Sequence, residues 1–363
     1  MKFQIARDRF LTSFQVAASV APNKSPKDIL KYVKCIASEG RISLSATDMD
    51  HGVKLELTGA AEQDGSCLFH AERMLRILKE TDADDIEFEL NGTDLRIAAG
   101  KADFKLSTAN PDEHPGVELI KDGETITLDK RAICQGLKFT SFATDSESSR
   151  YALGGVNIEL DGGVLNFIGT DGRRLSRFHI DDIAGKDMRG IVPTRACQLL
   201  ARTLVSEGDA EIRMTHNHLQ VTTERGCLWT RLVEGRYPSW RQVIPDRDGS
   251  TFEVQVGSLL SCVRQASITT EKESRGVNMT ISSGLLTMAS KTADVGASKS
   301  EIPIAYEGAE IDVVLDHRYA LDYLQALDPL DVVGISMVSS HQPVLLTSGN
   351  GSEYVIMPMS KDQ

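Results

Sequence analysis

One order of elements comes round three times along the chain, and that recurrence limits the possible folds more than any single motif does. Phe3-Gln4-Ile5 alternates as a short strand, and Phe10, Leu11, Phe14, Ala17 and Val20 then fall on one face at three-to-four spacing, the pattern of an amphipathic helix. Pro22 and Pro26 break that helix, and strands are predicted over Ile29–Ile36, Arg41–Ala46 and Val53–Leu57. The plan repeats with Ile126–Leu128, a helix through Ile133, Leu137 and Phe142, a polar break at Thr144–Ser149, and strands at Tyr151–Leu160 and up to Thr170-Asp171. A slightly shorter third copy opens at Phe252, with a helix carrying Leu259, Leu260, Val263 and Ala266. Phe3 to Thr47 and Ile126 to Thr170 are both about 44 residues, a coincidence of period that marks a repeat.

A second half recurs inside each copy. Helices are expected around Met74, Leu75 and Leu78, around Leu199, Leu200 and Leu204, and around Tyr319, Leu321 and Leu324. Each is followed by alternating hairpin strands that close near Pro111, Pro238 and Pro358. The expected fold class is therefore α+β, with three repeated domains at 1–121, 122–247 and 248–363, each holding two helices packed on antiparallel sheets. Units duplicated inside and triplicated along a chain build rings, arcs or solenoids more readily than a single enzyme cleft.

Charge narrows the possible partners. The formal net charge is −12, which argues against a surface that coats nucleic acid or anionic membrane all over. Yet the predicted helices are basic, with Arg73, Arg76, Lys130, Lys138, Arg195, Arg202 and Arg318, while acids gather at Asp82–Glu89 and Glu307–Asp312. Six helices on one concave face would make that face positive, and lysines and arginines neutralise phosphates whatever the base sequence. The plainer reading is six solvated helix surfaces. The six cysteines form no C-x-x-C pair and no apolar run reaches the length of a membrane span, so an unprocessed cytoplasmic protein is expected.

Catalytic signatures are missing from the sequence: there is no G-x-x-x-x-G-K loop, no H-E-x-x-H and no G-x-S-x-G elbow. His216 and His218 flank an Asn217 that suits a hairpin turn better than a metal site, and Asp112-Glu113 has no partner acid. Neither a cofactor nor a metal is expected. One stretch stands apart. Gly169-Thr170-Asp171-Gly172 reads as a hairpin turn, but Arg173-Arg174-Leu175 follows it, whereas the matching Ala46–Asp50 and Ser290–Asp294 carry no such run. The shared fold accounts for the turn; the arginines and leucine point to a function confined to the second repeat.

Four segments together resemble the bacterial DNA polymerase III β-subunit family of sliding clamps: Tyr151–Val156, Thr170–Leu175, Glu234–Pro245 and Tyr354–Met359. The resemblance spans essentially the whole chain. It implies a head-to-tail homodimer forming a ring of clamp domains around double-stranded DNA, held by topology and without sequence preference. It further implies a non-catalytic processivity factor, recruiting the replicative polymerase and clamp loader through short hydrophobic peptide motifs. Carried over by position, the peptide groove uses Leu153, Thr170, Gly172, Arg173, Arg174, Leu175, Pro238, Gln242, Val243, Pro343, Val355, Ile356, Met357, Pro358 and Met359, with Arg173 and Arg174 as rim donors. DNA-facing positions are Lys24, Tyr151, Arg195 and Arg202, with Arg73, Arg76, Lys138 and Arg318 added from their helix positions. The dimer contact falls on Phe104, Leu106, Ile268 and Thr269. A protein-binding repeat scaffold that does not encircle DNA is the competing reading.

The chain departs from the family pattern in places. Gln242 and Lys24 stand where an arginine is usual, Thr269 where a leucine is typical, and 293–300 lacks the usual run of acids. The tail Ser360–Gln363 also differs from the common ending, beside the expected groove. These changes predict a ring that closes less tightly; a sub-micromolar dimer in sedimentation would contradict that.

Overall fold

The computed structural model describes residues 1–145, 151–204, 206–246, 249–271 and 275–359, with the side chain of Tyr151 excepted. The six expected helices are present: α1 Arg7–Val20, α2 Ala71–Glu80, α3 Lys130–Thr140, α4 Thr194–Thr203, α5 Val256–Ser267 and α6 His317–Ala326. Each follows directly on a short strand, so the strand–helix pair recurs six times along the chain. Many of the apolar positions read from the sequence are buried, among them Phe10, Phe14 and Ala17 of α1 and Leu259, Val263 and Ala266 of α5, while Leu11, Leu75, Leu260 and Leu321 are half-buried.

Two strand expectations are corrected. The run Ile29–Ile36 opens as a 3-10 turn at Asp28–Lys31, and the strand proper is Tyr32–Ser38. Likewise Tyr151–Leu153 is a 3-10 turn, and the strand spans Gly155–Asp161. A short apolar run does not distinguish the last turn before a strand from the strand itself.

The chain divides into two compact units, Met1–Cys134 with Arg195–Leu232 and Gln135–Thr194 with Val233–Gln363. The first unit holds a five-stranded and an eight-stranded antiparallel sheet. Its core includes Phe3, Phe10, Phe14, Phe69 and Phe88, with Phe3 and Phe88 stacked at 4.7 Å between centroids. The second unit holds an eight-stranded and a four-stranded sheet.

Both large sheets are made from two different repeats. In the first unit Gly226–Arg231, the last strand of the second repeat, pairs with His51–Thr58 of the first repeat. In the second unit Ser352–Ile356, the last strand of the third repeat, pairs with Arg174–Ile180 of the second. The same junction rule leaves two strands over. Ala102–Ser107, the last strand of the first repeat, ends the five-stranded sheet, and Gly296–Pro303 of the third repeat, the counterpart of His51–Thr58 and Arg174–Ile180, ends the four-stranded one.

Candidate functional site

The strand Val164–Thr170 turns at 171–173 into Arg174–Ile180. Thr170 Oγ1 donates to the Arg174 carbonyl at 2.6 Å and accepts from the Gly172 N–H at 3.1 Å. Asp171 Oδ1 accepts from the N–H groups of Arg173 and Arg174 at 2.8 and 3.0 Å. Gly172 has a φ of +87°, where a side chain is strained. Gly169 is needed for space: a Cβ there would strike the carbonyl oxygen of Thr140 at the end of α3.

Behind the turn the sheet presents one face with two characters. Leu175 pairs with Val355, and Val355 pairs in turn with Leu345. These three side chains and Ile168 form a buried apolar cluster with Trp240, packed on its margin by Tyr237 and Ile244. The Tyr237 hydroxyl donates to the Ile168 carbonyl at 2.9 Å, which pins the 237–244 segment across the strands. Along the same strands the face turns polar: Arg177 donates to Asn166 Oδ1 at 2.8 Å and pairs with Glu353 at 2.6 Å, while Arg241 reaches Glu159 at 2.8 Å and Asp161 at 2.7 Å. Burial pushes the Glu159 carboxyl up, but Arg241 and Asn157 outweigh it and hold the group below the usual carboxylate range.

The expected groove residues separate into floor and rim. Leu153, Thr170, Leu175, Val355 and Ile356 are buried, Pro343, Pro358 and Met359 are half-buried, and Pro238, Gln242, Val243 and Met357 are exposed. Backbone bonds fix the last strand's exit: the Met357 N–H donates to the Arg173 carbonyl at 2.9 Å, and the Met359 N–H to the Val314 carbonyl at 2.8 Å. Two flexible methionines thereby follow directly on the strand that carries Val355, with their backbone positions fixed. The tail Ser360–Gln363 lies outside the described residues.

The two arginines part company, which corrects the expectation that both are rim donors. Arg173 is exposed. Arg174 turns inward: Nε donates to Asp171 Oδ2 at 2.9 Å, Nη1 to Asp322 Oδ2 at 2.5 Å and Nη2 to the Phe142 carbonyl at 2.7 Å. Its guanidinium also lies 4.5 Å from the centroid of the Tyr319 ring. Burial opposes its charge, but Tyr354 and the carboxylates of Asp322 and Asp171 hold its pKa above the usual arginine value. Arg174 therefore fastens the turn to α6. Ile168 and Trp240 join the cluster without being expected there, although Ile168 lies in an apolar strand and Trp240 within the Glu234–Pro245 segment.

The basic helix residues have unequal freedom. Lys24, Arg73, Arg76, Lys138 and Arg202 are exposed and have no acid partner among the described residues. Arg195 pairs with Asp48 at 3.2 Å and Arg318 with Asp316 at 2.5 Å. Lys130 is buried, with its ammonium on Glu224 at 2.5 Å, which removes it from any basic face. The Tyr151 side chain lies outside the described residues. Phe104 and Leu106 are half-buried on the edge strand Ala102–Ser107. Ile268 is 74% exposed just after α5, and the Thr269 hydroxyl bonds Ser298 Oγ on the other edge strand at 2.7 Å. Among the described residues no cluster of His, Cys, Asp and Glu is arranged to hold a metal ion, and no helix is long and apolar enough to cross a membrane.

Sheets that run from one repeat into the next, two unmatched strand edges and a buried apolar cluster with exposed apolar side chains nearby mark a clamp-type binding subunit. The comparisons with known proteins agree. Models of the DNA polymerase III β subunit match in order: its N-terminal domain over residues 1–118, its central domain over 127–239 and its C-terminal domain over 241–360. The chain is 25% identical to the beta sliding clamp of Chlamydia muridarum, covering 99% of both chains. It is 27% identical to that of Pseudomonas aeruginosa, covering 99% of this chain and 100% of the other. The crystal structure of a Pseudomonas aeruginosa DnaN sliding clamp bound to griselimycin superposes with a TM-score of 0.94 at 26% identity, over 99% of each chain. The chain belongs to the DNA polymerase III β-subunit family, the DNA sliding clamps, whose members are non-catalytic.

Proposed function

We propose that two copies of this chain close head to tail into a ring around duplex DNA and tether the replicative polymerase and clamp loader by short hydrophobic peptides. The observation that carries the ring is the pair of leftover strands. The rule that joins repeats inside the chain asks for one more junction, between Ala102–Ser107 and Gly296–Pro303, and a second copy of the chain can supply it. An edge of unpaired backbone groups invites such pairing, and a heterologous contact that closes on itself makes a ring. Phe104 and Leu106 lie on one of these edges, and Ile268 and Thr269 beside the other, in support of those four as dimer residues.

Inside the ring the free cations Lys24, Arg73, Arg76, Lys138 and Arg202 meet phosphates, joined by Tyr151. Arg195 and Arg318 contribute less, since each already has a carboxylate. Such contacts can be weak and salt-screened while topology holds the DNA. The peptide groove is the slot floored by Leu153, Thr170, Leu175, Val355 and Ile356. Three domains with boundaries near 121 and 247 and a cytoplasmic location complete the reading; the cysteines, all free thiols, suit a reducing compartment.

Loading onto nicked circular plasmid tests it. The protein is retained on the circle and lost when the plasmid is linearised; equal retention on linear DNA would overturn the clamp mechanism.

A further inference from the structure

Next to the apolar slot, and sharing Pro238 and Gln242 with its rim, lies a second hollow of about 280 Å³ lined by Asn157, Glu159, Arg189, Arg236, Trp240 and Arg241, among others. Its wall is the strand pair Gly155–Asp161 and Met188–Pro193, where Glu159 stands opposite Arg189. Its other side is the segment that holds Trp240.

The charges here do not cancel. Arg241 is paired through Nη2 with both Glu159 and Asp161 and lies 4.3 Å from the centroid of the Trp240 ring. Glu159, the one carboxylate lining the hollow among the described residues, is in turn taken up by Arg241, by the Asn157 amide N–H at 3.1 Å and by the Trp240 indole N–H at 3.5 Å. Arg189 and Arg236 are exposed and have no acid partner among the described residues. The buried Asn157 spends its amide nitrogen on Glu159, while its Oδ1 has no hydrogen-bond partner. The site therefore offers two unused cations and one unused acceptor. That combination fits a peptide segment with carboxylates for the arginines and an N–H for Asn157.

We propose that this hollow receives an acidic stretch flanking the groove-binding motif of a partner peptide, so that Arg189 and Arg236 select partners whose apolar anchors adjoin aspartate or glutamate. The inference rests on the peptide-groove reading, and the hollow's continuity with that groove through Pro238 and Gln242 supplies the geometry. Exposed cations of this kind act mainly through steering and choice of partner, and their effect falls with salt.

The test uses the full chain and labelled peptides carrying Gln-Leu-Phe anchors flanked on either side by two glutamates or two glutamines. The glutamate peptide binds about three- to tenfold more tightly at low salt. In the double variant Arg189→Ala/Arg236→Ala that advantage vanishes, while the glutamine peptide binds as before. Equal affinity of the two peptides for the native chain, or an advantage that survives in the variant, overturns the proposal.

Failure of the groove reading is recognised separately, because then the glutamine peptide does not bind at all. A second arm still decides the hollow in that case. The chain has two tryptophans, so in a Trp229→Phe background emission reports Trp240 alone. A glutamate-rich peptide without anchors then perturbs the emission, and the arginine double variant abolishes the response. An emission unaltered by that peptide, or altered equally in the variant, counts against the site.

Discussion

The hairpin tips at 47–51 and 170–174 are built by the same hydrogen bonds. Thr47 Oγ1 donates to the His51 carbonyl at 2.7 Å and accepts from the Met49 N–H at 3.0 Å, as Thr170 does with Arg174 and Gly172. Asp48 Oδ1 accepts from Asp50 and His51 at 3.1 and 2.7 Å, as Asp171 does from Arg173 and Arg174. Even the backbone agrees, with φ of +85° at Met49 and +87° at Gly172. What differs is the side chains that follow. Position 51 is a histidine and position 174 an arginine tied to α6. Gly52 leaves room for Val117 and Trp229, which a Cβ there would meet at 3.0 and 3.6 Å. Its counterpart Leu175 instead joins a cluster with half-covered apolar neighbours at its margin. A repeat can thus keep one turn intact and still differ in what surrounds it: in the first unit the chain fills the place itself, and in the second it leaves apolar side chains at the margin of the cluster.

The largest expected difference between the tips lies at their fifth residue. Arg174→Ala leaves the Asp171 carboxylate and the Phe142 carbonyl without their cation in a mostly buried place, and the expected loss of stability is about 3 kcal/mol or more. His51→Ala removes an imidazole packed against Asp48, at 3.3 Å from Nδ1 to Oδ1, and costs about 1 kcal/mol. Urea unfolding of the two variants measures both. Equal losses would mean that the link from Arg174 to α6 adds nothing to the turn.

Function separates the tips next. Met357→Ala with Met359→Ala removes two rim side chains whose backbone bonds remain, so peptide affinity drops at least about tenfold while stability changes by roughly 1 kcal/mol or less. Met49→Ala, at a side chain 47% exposed on the other tip, leaves peptide affinity unchanged. Fluorescence anisotropy with a Gln-Leu-Phe peptide reads both variants, and unchanged binding in the methionine double variant would eliminate the groove.

Exchanging the positive-φ residues gives smaller effects of opposite sign. A Cβ on Gly172 meets no atom within 4 Å, so Gly172→Ala carries backbone strain alone, about 1 kcal/mol. Met49→Gly relieves the same strain and gains up to about 1 kcal/mol, reduced by the extra freedom of glycine in the unfolded chain. Thermal melts compare them; a destabilised Met49→Gly would show that the exposed methionine makes contacts worth more than the strain.

The sequence made the helices and the period of the repeat legible because both depend on local apolar spacing. Phe10, Phe14 and Ala17 could be assigned to a core without knowing what they pack against. The proposed groove is legible only through motif likeness. Its centre, Leu175 against Val355, joins strands about 180 residues apart, and no local pattern specifies which repeat's strand pairs with which. Arg174 departs from its expected place at the rim for a related reason. Adjacent to Arg173 in sequence, it begins a strand and faces α6, and its partners Asp322 and Phe142 lie far off in the chain.

The smallest expected effect tests the acid at the first tip. Burial pushes the Asp48 carboxyl up, but the His51 ring 3.3 Å away, the hydrogen bond from the His51 backbone N–H and the nearby Arg195 outweigh it and leave the group below its ordinary value. A carboxyl with a lower pKa folded than unfolded contributes fully above the unfolded value near about 4, and that contribution is lost as pH falls through the folded one. Asp48→Asn keeps the Oδ1 acceptor for Asp50 and His51 but removes the charge facing Arg195. The variant is accordingly less stable than the native chain at pH 7, by about 1 kcal/mol or less, and the gap closes as pH drops below about 4. Urea midpoints of both proteins at pH 7, 5, 4 and 3 follow the gap directly. A gap that stays constant would show that Asp48 acts at this tip only as a neutral acceptor, and that neither His51 nor Arg195 draws on its charge.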